Sequence, residues 1–301
     1  MAASHDALRP KRAIVVTGAS TGIGYGISNV LLQKGYCVFG SVRRQKDAER
    51  LQAELGPAFM PLVFDVTDEP AVKAAASKVR AALAGSTLFG LVNNAGMLAH
   101  GPVLLQPISE FRQMLEVNLI GVIVVTQAFL PLLGADRALR GEPGRIVMIS
   151  SVAGKMAAPF LAGYVASKQG LEGFSTSLRR ELMIYGIDVI VIGPGAVTSA
   201  IWDKAEAVDM TRYDNSEYGV PLRKFGRSII KDGRTTNHTP EYIGGYVLKA
   251  LTTQAPAARC AVVYKRFQNW TLPLSLPPRW LDQLMAMALQ LKRPPAAAAQ
   301  K

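Results

Sequence analysis

The sequence predicts an α/β protein built on one doubly wound, parallel sheet. Strand-like and helix-like segments alternate along the chain. The strand-like runs are continuous Val, Ile and Leu, the pattern of strands covered on both faces. No internal repeat or interdomain linker interrupts the series, so a single domain is expected.

The elements follow in order. RAIVV (12–16) is a strand ending at Thr17-Gly18, and IGYGISNVLLQK (23–34) is a helix with Gly35 as its C-cap. YCVFGSV (36–42) is the second strand, and a charged helix spans 45–55. MPLVFDV (60–66) is a strand, EPAVKAAASKVRAAL (69–83) a helix and LFGLVNN (88–94) a strand. A long helix covers about 108–130; RIVMISS (145–151), a helix over about 163–185 and IDVIVIGPG (187–195) complete the series. The most apolar stretch, LIGVIVVTQAFLPLLG (119–134), is short and broken by Thr126, Gln127 and Pro131, so it reads as a buried helix rather than a membrane span.

Composition narrows the function classes. The net charge is +12, but the basic residues are scattered in small clusters at 43–46, 179–180, 223–227 and 231–234. No aromatic residues interleave with them, which argues against nucleic acid and for an anionic cofactor or membrane surface. Two cysteines, Cys37 and Cys260, form no disulfide framework and point to a reducing, intracellular compartment. MAASHDALRPKR lacks the apolar core of a secretory signal.

In such sheets ligands bind beyond the carboxyl ends of the strands. The first strand ends in TGASTGIG, with Gly18, Gly22 and Gly24 between a strand and a helix. Gly18 permits a tight turn, Gly22 lets the backbone approach a pyrophosphate, and Gly24 lets helix and strand pack closely. The free N–H groups of the helix N-terminus then face phosphate. After the second strand, where an acid would select NAD, stand Val42, Arg43 and Arg44. A guanidinium suits a 2′-phosphate, so NADP(H) is expected over NAD(H); the alternative is that both arginines merely open a solvated helix. Asp65 is placed to bond an adenine amino group, or with Asp68 to cap the next helix. NNAG (93–96) and ISSVAG close the fourth and fifth strands, and Tyr164 follows Ser151 by thirteen residues. Tyr164 and Lys168 share a helix face. An ammonium beside a phenol lowers its pKa, which would make Tyr164 an acid/base group. The bland alternatives are a solvated helix face and Ser151 as a helix cap.

TGASTGIG, NNAG, Asn118 in VNLIGV, Ser151, Tyr164-x-x-x-Lys168 and the Pro194-Gly195 turn have the order and spacing of the classical short-chain dehydrogenase/reductase family, which residues 12–200 resemble. The resemblance implies a Rossmann-type domain over 12–265 with a substrate lid at 199–235. It leaves a flexible N-terminus (1–11), a C-terminal apolar, helical extension (266–293) and a disordered tail (294–301). It implies a nicotinamide cofactor and a tetrad of Asn118, Ser151, Tyr164 and Lys168. Tyr164 would move the proton, Lys168 hold the ribose hydroxyls, Ser151 polarise the carbonyl and Asn118 hold a relay water. The cofactor would meet Gly18, Ser20, Thr21, Gly22, Ile23, Gly24, Arg43, Arg44, Asp65, Val66, Asn93, Ala95, Gly96, Tyr164, Lys168, Pro194, Gly195, Val197 and Thr198, the last fixing the carboxamide. No metal site is implied, and His5, His100 and His238 match no functional family position and are expected at the surface.

LFGLVNNAG, LRRELMIYGIDVIVIGPG and PLSLPPRWLDQL are similar to the retinol, hydroxysteroid and hydroxybutyrate dehydrogenase-like branch, whose members often act on apolar alcohols and ketones. The chain departs from that branch at Gly193, where Glu is frequent, and in lacking an N-terminal anchor. Trp202, Met210, Tyr213, Tyr218 and Phe225 could line an apolar pocket or pack on the core. Residues 269–291, with Trp270 and Trp280 and flanked by Lys292 and Arg293, could lie on a membrane, cover the pocket or join a second copy in a homo-oligomer. The expectation is an NADP(H)-dependent enzyme of lipid metabolism, cytoplasmic or peripherally membrane-bound, that interconverts an apolar secondary alcohol and a ketone. The alternatives are an oxoacyl-thioester reductase and a catalytically silent nucleotide sensor.

Overall fold

The computed structural model describes residues 12–198 and 211–291. Seven parallel strands form one sheet in the order β3-β2-β1-β4-β5-β6-β7. They are β1 (Ala13–Val16), β2 (Cys37–Val42), β3 (Phe59–Val63), β4 (Gly90–Asn93), β5 (Arg145–Ile149), β6 (Asp188–Pro194) and β7 (Arg259–Val262). The chain winds outward from β1 to β3, then returns to lay β4 against β1. The crevice beyond the carboxyl ends of β1 and β4 is therefore the switch point of the sheet.

Successive strand residues enter opposite layers. Ala13 and Val15 join Leu91, Val125, Phe129, Met148 and Val189 on one face. Ile14 and Val16 join Ile27, Leu31, Val92, Ile190 and Val247 on the other. The first layer is closed by α3 (Glu69–Leu83), α5 (Gly121–Phe129) and α6 (Ala162–Glu181), with α4 (Ile108–Leu115) against α6. The second is closed by α1 (Gly22–Gln33), α2 (Gln45–Leu55) and α8 (Pro240–Thr252); α7 (Gly219–Thr235) lies outside both. Full burial of each large side chain stabilises the fold by about 1.5–3 kcal/mol. Asp68, rather than Asp65, caps α3 by accepting from Ala71 N at 3.1 Å. Asp65 accepts from the backbone N–H and hydroxyl of Thr67 instead, at 3.0 and 2.8 Å.

The sequence predicts one regular helix over 108–130. The structure breaks it with a π turn at Glu116–Ile120 and ends it in a 3-10 turn at Leu130–Leu133, where Pro131 cannot continue an α-helix. The run Ile108–Leu133 has the length and apolarity to cross a membrane, with a mean hydropathy of 1.8. Met114, Asn118, Val122, Val125 and Phe129 on its inner side are nonetheless buried in this fold. Strand β7 and helices α7 and α8 have no counterpart among the sequence-predicted elements. The C-terminal segment is helical as expected, through a π turn (Phe267–Thr271), a single α turn (Leu272–Ser275) and α9 (Pro278–Leu289).

Candidate active site

The glycine-rich turn is shaped by contacts as well as by freedom. Gly18 and Gly22 have positive φ, 67° and 56°. A Cβ on Gly24 would lie 2.2 Å from Gly18 O and 2.5 Å from Asn94 Nδ2, so no side chain fits where α1 meets β1. A Cβ on Gly22 would meet nothing within 4 Å; this is the open side, where α1 begins without a side-chain cap. Unpartnered N–H groups, a dipole end and open space together fit a pyrophosphate.

The turn is bound to the loop after β4. Thr17 Oγ1 accepts from the N–H groups of Asn94 and Ala95, both at 2.9 Å, and Asn94 Nδ2 donates to Thr17 O at 2.8 Å. A Cβ on Gly18 would stand 3.0 Å from Ala95 Cα. Asn94, absent from the predicted set, is thus the tie between strand ends. Asn93 faces inward, donating to Thr126 Oγ1 at 3.0 Å and towards Met148 Sδ at 3.4 Å, with 2% of its surface exposed.

At the end of β2, Ser41 Oγ accepts from Gly18 N at 3.0 Å. Arg43 is exposed, and Arg44 Nε donates to Asp47 at 2.8 Å. Arg50 on α2 also escaped the sequence reading. Its Nη2 donates to Ser20 O at 2.8 Å, which sets a guanidinium against the turn. Asp65 is half-buried and Val66 buried after β3.

Lys168, Tyr164 and Asn118 converge beside Gly96. A Cβ there would lie 3.2 Å from Asn118 Oδ1 and 3.7 Å from Lys168 Nζ. Lys168 Nζ donates to Ile149 O at 3.0 Å, and it lies 5.9 Å from the centre of the Tyr164 ring. Asn118 sits on the π turn, wholly buried. Its Oδ1 accepts from Met97 N at 2.8 Å; its Nδ2 donates to Met97 O at 2.9 Å and to Ser167 Oγ at 3.0 Å. With both amide N–H groups engaged, its side chain positions the loop and α6. Ser151 Oγ accepts from Ala153 N at 3.1 Å and hydrogen-bonds the Tyr164 hydroxyl, combining the cap and the site roles.

Burial sets the protonation of the pair. It pushes the Tyr164 phenol above its usual range, against the lowering effect of the Ser151 hydrogen bond. This corrects the expectation that Lys168 lowers it. Burial also pulls Lys168 down to about 8, opposed by the negative charge of Glu172.

Beyond β6, Gly195 N donates to Val262 O at 2.9 Å, and Val197 is buried. Thr198 donates through its hydroxyl to Thr236 O and through its N–H to His238 O, both at 2.8 Å. His238 is buried, not a surface residue: it stacks on Tyr242 at 4.6 Å, because the residues ahead of α8 fold back over Thr198. His100 is half-buried, with its pKa lowered by burial and by Arg212; His5, Trp202 and Met210 lie outside the described residues. Tyr213 and Phe225 pack with Phe160 and Leu222, and Tyr218 borders them edge-on to Phe160. Arg212 ties this segment to Glu110 on α4 at 2.8 and 3.1 Å.

A model described as short chain dehydrogenase matches residues 12–209. The chain belongs to the short-chain dehydrogenase family. An NADPH-dependent 3-dehydrocapnine reductase of Ornithobacterium rhinotracheale is 38% identical over 276 residues, 91% of this chain and 95% of the relative. A 17-beta-hydroxysteroid dehydrogenase type 6 of Bos taurus is 37% identical, with 90% and 87% covered. A solved short-chain dehydrogenase of Burkholderia cenocepacia J2315, in complex with NADP, shares the fold with a TM-score of 0.69 at 23% identity, covering 91% of this chain and 97% of that one. This short-chain dehydrogenase thus keeps the family's glycine-rich turn and Tyr-x-x-x-Lys pair on a seven-stranded frame.

The buried lysine has a measurable signature. Its pKa is about 8 in the fold against 10.5 as the ordinary value, so between these limits the unfolded chain binds more protons and stability rises with pH. Below pH 8 the folded protein carries the full cost of burying the charge, on the order of 3 kcal/mol. Lys168→Met is expected to melt at a higher temperature than wild type at pH 7 and to lack the gain from pH 8 towards 10. Equal melting temperatures at pH 7 in the absence of cofactor would contradict this.

Proposed function

We propose that this short-chain dehydrogenase is an NADP(H)-dependent oxidoreductase. It interconverts a secondary alcohol and its ketone, or an aldehyde and its primary alcohol, of apolar, steroid-, retinoid- or lipid-like character. The observation that carries the reading is the convergence of Ser151, Tyr164 and Lys168 at the end of β5, beside the glycine-rich turn. NADP(H), when bound, supplies the chemistry of hydride transfer. The open face at Gly22, the uncapped start of α1 and the guanidinium groups of Arg43, Arg44 and Arg50 fit its phosphates. Within 12–198 and 211–291, Ser151 orients the Tyr164 hydroxyl and is placed to hold a substrate oxygen. Lys168 keeps a cation behind the phenol. The Tyr164 hydroxyl would donate a proton to a carbonyl oxygen in the direction of reduction and accept one from the alcohol in the direction of oxidation. A relative named as a hydroxysteroid dehydrogenase supports an apolar substrate. So does the aromatic lid of Phe160, Tyr213 and Phe225.

Tyr164→Phe is expected to lower turnover by about a thousandfold or more while NADPH binding persists. Both are measured on a panel of apolar ketones assayed with each cofactor, and near-normal turnover would refute the assignment. NADPH is expected to bind at least about tenfold tighter than NADH, with Arg43→Leu reducing that preference; a titration in which NADH binds tighter overturns the cofactor reading. The exposed Trp280, Leu284 and Met287 of α9 support peripheral contact with a lipid surface. Wild type is expected to sediment with anionic vesicles and Trp280→Glu to remain in solution; a wild type that stays in solution removes this role.

A further inference from the structure

One turn of α6 beyond Lys168 stands Glu172, with 5% of its surface exposed. Arg259 on β7 donates through Nε to both carboxylate oxygens, at 3.1 and 2.9 Å. Two glycines make the room. A Cβ on Gly154, in the turn after Ser151, would lie 2.7 Å from Glu172 Oε1. A Cβ on Gly193 would lie 2.8 Å from Arg259 Nη2, so the departure from the related branch at this position is the space the guanidinium occupies. The far side of Arg259 is covered by the C-terminal segment: its Cζ lies 4.9 Å from the centre of the Trp270 ring. Breaking a buried pair of this kind leaves a charge without a partner, which is costly.

We propose that Glu172 and Arg259 are positioning residues for Lys168, the carboxylate setting the lysine's charge and the guanidinium, under Trp270, setting the carboxylate. The proposal rests on the reading of Tyr164 and Lys168 as the proton-transfer pair. Among the described residues, the titratable and charged groups around the pair are few. Tyr164 and Glu172 lie on α6 itself, Arg259 on β7, and Lys155 in the turn after β5, its Nζ 3.8 Å from Glu172 Oε2. Gly96 and Asn118, which face Lys168 from the β4 loop and the π turn, carry no charge. The negative charge of Glu172 favours the protonated lysine and Arg259 moderates that effect, so removing one or the other acts in opposite senses.

The test is the pH dependence of NADPH binding by full-length protein, followed by nicotinamide fluorescence. Affinity is expected to fall on the alkaline side as Lys168 loses its proton. Glu172→Gln, which keeps the shape and the hydrogen-bonding oxygen, is expected to move the midpoint of that fall down by roughly one pH unit. Arg259→Met, which leaves the carboxylate charge uncompensated, is expected to move it up. Should Arg259→Met not fold, Arg259→Lys takes its place, with a smaller upward shift expected because the two-point contact is lost. Midpoints that stay within error of wild type, even with lower melting temperatures, mean a merely structural pair and overturn the proposal. Tyr164→Phe separates the two readings. If it turns over normally, the reaction assignment falls; if it is inactive while the midpoints stay fixed, only the positioning role falls.

Discussion

The site depends on one short set of hydrogen bonds, those by which Thr17 and Asn94 lock the carboxyl ends of β1 and β4 together. A single hydroxyl accepts two backbone N–H groups, and a single amide returns a bond to the Thr17 carbonyl. Because the chain reverses its winding at this junction, no crossover helix holds the two ends in register beyond the sheet. The tie brings Gly18 against Ala95, which puts Gly96 beside Lys168 and Asn118. The glycine-rich turn and the Tyr164–Lys168 pair thus keep a fixed separation through three contiguous residues, Asn94, Ala95 and Gly96.

The second constraint is electrostatic. A lysine placed inside the fold loses hydration, and the Ile149 carbonyl, the face of the Tyr164 ring and the charge of Glu172 replace part of it. Stability is given up at a position where a cation stands close to a phenol. The same desolvation holds the phenol neutral, so burial acts on the two partners in opposite electrical senses: it favours the uncharged form of each.

Six of the seven strands were legible because buried parallel strands are apolar without interruption. The edge strand β7, RCAV, carries Arg259 inward and is too short to signal itself. The glycine-rich turn and the shared helix face of Tyr164 and Lys168 were legible because local spacing encodes them. What the sequence hid lies in pairings across long separations. Arg50 reaches Ser20 over 30 residues, and Arg259 reaches Glu172 over 87. The π turn was hidden for a related reason: the periodicity around Asn118 is helical, and only the partners at Met97 and Ser167 draw the residue inward. His238 looked like a surface residue because its burial comes from the fold-back onto Tyr242 rather than from an apolar neighbourhood in sequence.

The contact between α1 and α8 has a consequence for biosynthesis. A Cβ on Gly26 would sit 2.4 Å from Pro240, and one on Gly244 would sit 2.9 Å from Gly26 O, so the two helices touch backbone to backbone. Roughly two hundred residues separate them, and ribosomes add about 5–20 residues per second. The helix that follows the phosphate-facing turn therefore waits on the order of ten to forty seconds for its cover. During that interval its Ile27 and Leu31 lack the Ile243 and Val247 layer that shields them in the finished fold. An element made early is thus completed late, and until then its apolar face is open to aggregation.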